Sequence, residues 1–166
     1  MDLISQLGEL ALASRLKRLS DRLMREVSRV YKEQALDFEA RLFPVLFYLR
    51  SEGPSNITTI AKGLNLTHPA VTQVAHAMSR RKLIRSRRVV GDERQRELVL
   101  TQKGEVLVNE LQPVWDEVRR ATRELLQETN VDMIRNLERL EAALDERSMY
   151  QRVSDRIRKP KAETVK

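Results

Sequence analysis

The sequence is 166 residues long, enough for one ordinary domain with its own core, and it contains no cysteine. The absence of cysteine excludes disulfides, thiol-based redox sensing and cysteine-rich zinc sites, and it fits a cytoplasmic protein. The formal charge of +7 fits a polyanionic partner, and no apolar run approaches the ~20 residues that a membrane-spanning helix requires.

The chain begins with a long amphipathic pattern, which predicts a helix over residues 5–34. Its apolar residues recur at steps of three or four: Leu12, Leu16, Leu19, Leu23, Val27 and Val30. A helix of roughly 26 residues would be about 40 Å long, which is more than a compact small domain needs. We therefore predict that part of this stripe contacts a second copy of the chain; the alternative is a helix packed only on its own domain.

A second helix is predicted from Leu36 to Arg50, ended by the turn sequence of residues 51–55. It carries Phe43 and Phe47 on neighbouring turns. Aromatic residues at this spacing are more often part of a core than of a ligand pocket, and both interpretations stay open here.

Two short helices across a tight turn are predicted next, over residues 56–64 and 67–82, with Thr67 as a cap. The apolar residues of the second helix fall on one face. The opposite face carries Pro69, Thr72, Gln73, His76 and Arg80. Hydroxyl, amide and imidazole groups suit hydrogen bonds with base edges, which favours a DNA-reading helix over an ordinary solvated surface.

A β-hairpin should follow, with strands near Leu83–Val90 and Arg96–Leu100. The bases around it are mostly arginines: Arg80, Arg81, Lys82, Arg85, Arg87, Arg88, Arg94 and Arg96. A charge run is usually a solvated face. Directly after a helix-turn-helix, however, it predicts a wing that binds the DNA backbone, because guanidinium groups bind phosphate well.

In the C-terminal part, the sequence predicts two further helices and a tail. Heptad spacing predicts a helix from Gln102 to about Glu128, with Pro113 expected to bend it near Trp115. A last helix is predicted to end near Arg147, followed by a basic, mobile tail.

The sequence offers no catalytic constellation. His68 and His76 are the only histidines, and on one helix they would lie about 12 Å apart, too far to share a metal ion. Nucleophile-elbow, phosphate-loop and zinc-protease motifs do not occur. We expect a protein that is not an enzyme and that has no metal or cofactor.

One segment carries a specific resemblance. Residues 92–104, from Asp92 to Gly104, match the pattern D-x-R-x-x-x-L/V-x-L-T-x-x-G of MarR-family winged-helix transcriptional regulators. The resemblance implies that the helix from Thr67 to Arg80 reads the major groove, that Arg94 enters the minor groove and that Asp92 orients an arginine. It also implies a small aromatic or anionic effector bound between the winged unit and the dimer helices, for which Phe43, Phe47 and Trp115 are candidate lining residues.

The predicted fold is mainly α with a small β wing: a winged helix-turn-helix flanked by long N- and C-terminal dimerisation helices. Its segments are an N-terminal dimerisation helix (1–36), the winged helix-turn-helix (37–104), C-terminal dimerisation helices (105–147) and the basic tail (148–166).

The predicted function is sequence-specific binding of double-stranded DNA by a homodimeric regulator, a repressor acting on a pseudo-palindromic operator. The predicted DNA-binding residues are Thr67, His68, Thr72, Gln73, His76, Arg80, Arg87, Arg88, Asp92, Arg94 and Arg96. The alternatives are an architectural DNA binder with little sequence preference and a helical protein that binds another protein. The base-reading groups on the helix argue against both.

Overall fold

The computed structural model of the chain describes residues 2–89 and 92–158, and at residues 89 and 92–95 the backbone alone. Two compact units divide the chain, Met1–Val118 and Arg119–Lys166. The described part is mainly helical with one two-stranded antiparallel sheet, which confirms the predicted fold class. No helix in the described ranges is long and apolar enough to cross a membrane.

The N-terminal helix is interrupted where the sequence predicted one continuous helix. Helix α1 spans Leu3–Gln6, a 3-10 turn spans Gly8–Ala11, and α2 spans Leu12–Glu33. The prediction of a helix beginning at residue 5 is wrong because Gly8 has a φ of +53°, a left-handed conformation that an α-helix does not contain.

An irregular corner, residues 35–39, separates α2 from the next helix. Ala35 has a φ of +56° and ends α2, a 3-10 turn spans Ala40–Leu42, and α3 spans Phe43–Ser51. The predicted start of this helix at Leu36 is therefore wrong. Pro44 gives the reason: it has no amide hydrogen for the carbonyl of Ala40, so proline is accommodated in the first turn and not further inside.

The helix-turn-helix and the hairpin follow at the predicted places, although the second strand begins at Asp92 and not at Arg96 as predicted. Helix α4 spans Ile57–Gly63 and α5 spans His68–Arg80, each with a side-chain cap at its N-terminus. Strands β1, Ile84–Val89, and β2, Asp92–Leu100, pair antiparallel with Ile84 opposite Leu100. Ser55 forms a bridge to Leu98 with two backbone hydrogen bonds, which ties the segment before α4 to the hairpin.

One core joins these elements within the first unit. Helix α6 spans Gln102–Glu128 and continues through Pro113, and its first half contributes to this core. The most deeply buried side chains come from the helices α2 to α6 and from the connections that precede α3 and β1: Tyr31, Leu42, Val45, Leu46, Ile60, Val71, Met78, Leu83, Val108 and Leu111. Helix α5 thus rests on a packed base.

The second unit contains the end of α6, helix α7 over Met133–Glu146 and helix α8 over Met149–Arg158. The predicted tail therefore begins with a helix, and only residues 159–166 lie outside the described residues. The cause is a capping box: Ser148 Oγ accepts from the Gln151 amide at 3.2 Å, and Gln151 Oε1 accepts from the Ser148 amide at 2.9 Å.

Candidate nucleic-acid interface

Helix α5 presents the polar face that the sequence predicted. Gln73, His76 and Arg80 are exposed, whereas Val71 and Met78 on the opposite side are completely buried. The remaining predicted side chains at its N-terminus, Thr67, His68 and Pro69, are exposed as well. Because the buried face is fixed by the core, the exposed one has a defined orientation.

Thr72 differs from its neighbours because its hydroxyl group already has a partner. The Oγ1 atom donates to the carbonyl oxygen of His68 at 2.8 Å and lies 3.4 Å from the Nδ1 atom of that residue. The side chain is half-buried. Its methyl group and its remaining lone pair are therefore what Thr72 can offer to a base, a pair of groups suited to a thymine methyl or an amino group.

A set of hydrogen bonds fixes the connection between α5 and the hairpin. Thr101 Oγ1 donates to the carbonyl oxygen of Lys82 at 2.7 Å and accepts from the amide of Gly104 at 3.1 Å. Lys103 Nζ donates to the carbonyl oxygen of Arg81 at 3.1 Å. The Thr and Gly of the signature thus set the position of the hairpin relative to the helix that precedes it.

The arginines of the hairpin are not equivalent. Arg87 Nε donates to Glu97 Oε1 at 2.5 Å, and the Glu97 side chain is only 17% exposed. Arg88 lies opposite Arg96 in the register, and Arg96 Nη1 lies 3.5 Å from Ser86 Oγ. Arg87 is partly neutralised by its glutamate, and Arg88 and Arg96 occupy paired positions of the two strands.

A cleft between α4, α5 and the hairpin collects polar and basic groups. Its lining includes two predicted residues, His68 and Arg96, together with others that the sequence analysis did not select: Asn56, Ile57, Thr58, Thr59 and Lys62. Lys62 was missed because DNA contacts were predicted only for the second helix and the hairpin, and not for the first helix of the motif. The first helix of such a motif crosses the DNA backbone, so a cation near its end could have been selected on that ground.

Two predicted residues, Asp92 and Arg94, have side chains outside the described part of the chain. Their backbone belongs to β2, and Asp92 is paired with Val89 across an irregularity in the register after Arg88. The minor-groove role of Arg94 and the orienting role of Asp92 stay predictions.

The three candidate ligand-lining residues contact one another. The Phe43 ring centroid lies 5.3 Å from that of Phe47 and 5.2 Å from that of Trp115. Trp115 Nε1 donates to the buried hydroxyl of Tyr31 at 3.1 Å, and burial raises the pKa of this tyrosine. Phe47 is 40% exposed. A ligand at this cluster would bind on the exposed edge of Phe47 or separate the rings.

Across residues 2–89 and 92–158, no group of three or more His, Cys, Asp or Glu side chains is placed to hold a metal ion. The groups that the described part concentrates are instead polar and basic side chains around α5 and the hairpin. Fold and site together define a winged helix-turn-helix protein.

Comparison with known proteins finds one family whose model matches part of the chain. The model of the MarR family matches residues 37–95, from the corner before α3 to β2. No curated protein sequence matches the chain. The matched segment covers the helix-turn-helix and overlaps the signature of residues 92–104, so this part of the chain is similar to the MarR family, as the resemblance predicted.

Solved structures share the fold. The S. aureus MepR–DNA complex has a TM-score of 0.65 at 24% identity, over 80% of this chain and 98% of that one. A MarR/EmrR-family regulator from Acinetobacter sp. ADP1 has a TM-score of 0.63 at 20% identity, over 81% and 94% of the two chains. A MarR-family regulator from Neisseria meningitidis has a TM-score of 0.54 at 22% identity, over 94% and 99%.

Proposed function

We propose that the protein is a homodimeric, sequence-specific regulator of transcription that binds double-stranded DNA through α5 and the hairpin. The observation that carries this proposal is the exposed face of α5, on which Gln73 and His76 stand beside Arg80 above a completely buried opposite face. Gln73 is the best candidate for a bidentate contact with adenine, since an amide offers both a donor and an acceptor.

The surroundings of α5 supply the non-specific part of binding. His68, Lys62 and Arg96 line one cleft at the N-terminal end of the helix, and Arg88 lies opposite Arg96 in the hairpin. Phosphate contacts of this kind set the register of a protein on the duplex and make affinity depend on salt. MepR, which shares the fold, has been solved with DNA bound, and this supports the proposal.

A homodimer is supported by apolar surface that the chain leaves uncovered. Leu16, Leu19 and Leu23 on α2 are each at least 40% exposed and follow one another at helical spacing. Ile134, Leu140 and Leu144 on α7 are similarly exposed within the second unit. A two-fold dimer that buries such stripes would present two α5 helices to half-sites about one helical turn apart.

Regulation forms the last part of the proposal. We propose that the dimer acts as a repressor and that a small aromatic or anionic effector releases it from DNA. The cluster of Phe43, Phe47 and Trp115 is the candidate site. The dimer can adopt conformations that differ in the spacing of the two α5 helices. A ligand that binds more tightly to a conformation whose spacing does not fit the operator would lower operator affinity. As the only tryptophan, Trp115 would report binding through its fluorescence.

The proposal is tested by comparing two duplexes of equal length and composition, one selected by the protein from a random library and one with the same bases shuffled. A specific regulator binds the selected duplex at least ~10³-fold more tightly at physiological salt. Nearly equal affinities with a steep salt dependence would identify the architectural alternative, and loss of both at moderate salt would identify a protein whose partner is another protein.

A further inference from the structure

We infer that the ion pair between Arg81 and Glu39 positions helix α5 for DNA binding, so that Glu39 controls affinity without touching DNA. This inference rests on the proposed function. Arg81 directly follows α5, and Glu39 lies in the corner between α2 and α3. Arg81 Nη2 donates to Glu39 Oε1, a contact between residues 42 positions apart in the sequence. We call this contact the corner clasp.

The burial of Arg81 distinguishes it from the arginines that could contact phosphate. Its side chain is 26% exposed, compared with 47% for Arg87 in the hairpin. Its Nη1 atom is buried, has no hydrogen-bond partner among the described residues and lies 3.7 Å from Asp37 Oδ1. A guanidinium group that gives up this much hydration is placed to join parts of the protein.

Glu39 is in turn attached to helix α2. The amide of the next residue, Ala40, donates to Ser28 Oγ on α2 at 3.0 Å. One residue before Glu39, the ring of Phe38 packs edge-to-face on Tyr31 of α2 at 5.2 Å. The other oxygen of Glu39 accepts from Arg41 Nε at 2.6 Å. The carboxylate is therefore held by its neighbours on both sides.

The corner clasp is one of several contacts that hold residues 81–83, the segment that follows α5. Thr101 and Lys103 bind the carbonyl groups of residues 81–83 from the side of the hairpin and α6. The Arg81 side chain binds the same segment to the corner, and the corner is bound to α2. The C-terminal end of α5 is thus connected to α2 through the corner, in addition to the core beneath it.

If Glu39 positions α5, neutralising Glu39 changes DNA affinity in the direction opposite to the one that charge repulsion alone predicts. Removing a negative charge near a DNA-binding surface strengthens binding when the charge acts only through repulsion from phosphate. If Glu39 positions α5 instead, Glu39→Gln weakens binding. Effects of residues that modulate a site without contacting the ligand correspond to about 2- to 30-fold in affinity.

The test measures operator affinity of the full-length chain over a salt series, using the duplex selected by the wild-type protein. We expect Glu39→Gln to weaken binding by about 2- to 30-fold with an unchanged salt slope, because no phosphate contact is lost. The matched control is Glu33→Gln, which removes the same charge from an exposed pair with Arg29 on α2. The control variant should bind like the wild type or slightly more tightly.

A double-mutant cycle separates positioning by Arg81 from direct contact. Arg81→Gln should weaken binding without changing the salt slope, and Glu39→Gln should add little to it, since both changes break the same contact. A salt slope reduced by about one in Arg81→Gln, with tighter binding by Glu39→Gln, would make Arg81 a phosphate ligand and overturn the inference.

Amide hydrogen exchange provides a readout that needs no DNA. Glu39→Gln should speed exchange in residues 76–83, at the C-terminal end of α5, while residues 45–49 in the middle of α3 exchange as in the wild type. Unchanged exchange in residues 76–83 would overturn the corner clasp. If the wild-type protein bound no duplex, the proposed function would fail, and this exchange measurement would still decide whether the clasp fixes α5.

Discussion

The backbone of Gly104 lies against the carbonyl oxygen of Leu83, so closely that a Cβ atom at position 104 would stand 2.1 Å from that oxygen. Leu83 is the residue that leads from α5 into the hairpin, and its carbonyl group also accepts from the amide and the hydroxyl of Thr101. The start of α6 is therefore in direct backbone contact with the connection between α5 and the hairpin. This contact gives the final glycine of the signature a steric reason.

Gly104→Ala should destabilise the protein although alanine is the better helix former. In an exposed helix the substitution would stabilise by about 1 kcal/mol, but here the added methyl group meets backbone that has little room to move. We expect a net loss of about 1–3 kcal/mol in the free energy of unfolding, the usual cost of overpacking. Urea denaturation measures it, and Glu105→Ala, at the exposed neighbouring position, is the control. Stability equal to the wild type would contradict the close contact.

Gln73→Ala should relax base preference at one position in each half-site. The loss of a bidentate contact reduces discrimination there by about 1–3 kcal/mol, while the slope of affinity against salt stays the same because no phosphate contact is removed. Affinities for the selected duplex and for its single-base variants, measured at two salt concentrations, test this. A uniform loss of affinity for all variants would show that Gln73 does not read a base.

Arg96→Ala and Arg87→Ala should differ in their salt slopes. Arg96 lines the cleft with Lys62 and His68, so its loss should lower the slope by about one. The Arg87 guanidinium donates to Glu97, and its loss should change the slope less. Filter binding or fluorescence anisotropy over a salt series gives both slopes. Equal slopes for the two variants would remove the distinction that we draw between the two hairpin arginines.

Leu19→Asp should convert the proposed dimer into a monomer. Leu19 is half exposed in the middle of the apolar stripe on α2, and a carboxylate there could be buried against a second copy only at high cost. Sedimentation velocity at micromolar concentration measures the oligomeric state. Ser14→Asp, which changes the charge equally on the opposite face of α2, should stay dimeric. A dimeric Leu19→Asp variant would place the interface elsewhere.

The contribution of Glu39 to stability should depend on pH. The hydrogen bond from Arg41, and then the charge of Arg81, lower the pKa of this carboxyl group below its ordinary value of 4.5. A lowered pKa means that the stabilisation is fully present above 4.5 and is lost as pH falls through the folded-state pKa. The difference in unfolding free energy between the wild type and Glu39→Gln should therefore shrink below pH 4.5. A constant difference down to pH 3 would contradict this coupling.

The parts of the fold that the sequence predicted are those whose causes are local. Helices α4 and α5 follow from apolar periodicity and, for α5, from the cap Thr67, and the two strands follow from the alternation of their apolar residues. Helix α8 was missed because its apolar periodicity is weak, and the Ser148–Gln151 capping box that starts it was overlooked. The start of α3 was misplaced because Pro44 was accepted inside a helix that in fact begins at Phe43.

The residues of the candidate site could be predicted from the sequence, but the ion pairs that join them to other elements could not. The polar face of α5 follows from helical spacing alone. Predicting the ion pair of Arg87 with Glu97 would have required the register of the hairpin. The contact of Arg81 with Glu39 joins residues 42 positions apart, and no local sequence pattern links them. Such contacts are set by tertiary packing, so a single sequence does not reveal them.

In the proposed dimer, two copies of α5 bind a specific DNA sequence. The most direct measurement is the selection of bound duplexes from a random library by the purified protein at near-physiological salt. We predict an enriched pseudo-palindrome with half-site centres about one helical turn apart. Tight binding without any enriched sequence would contradict the claim.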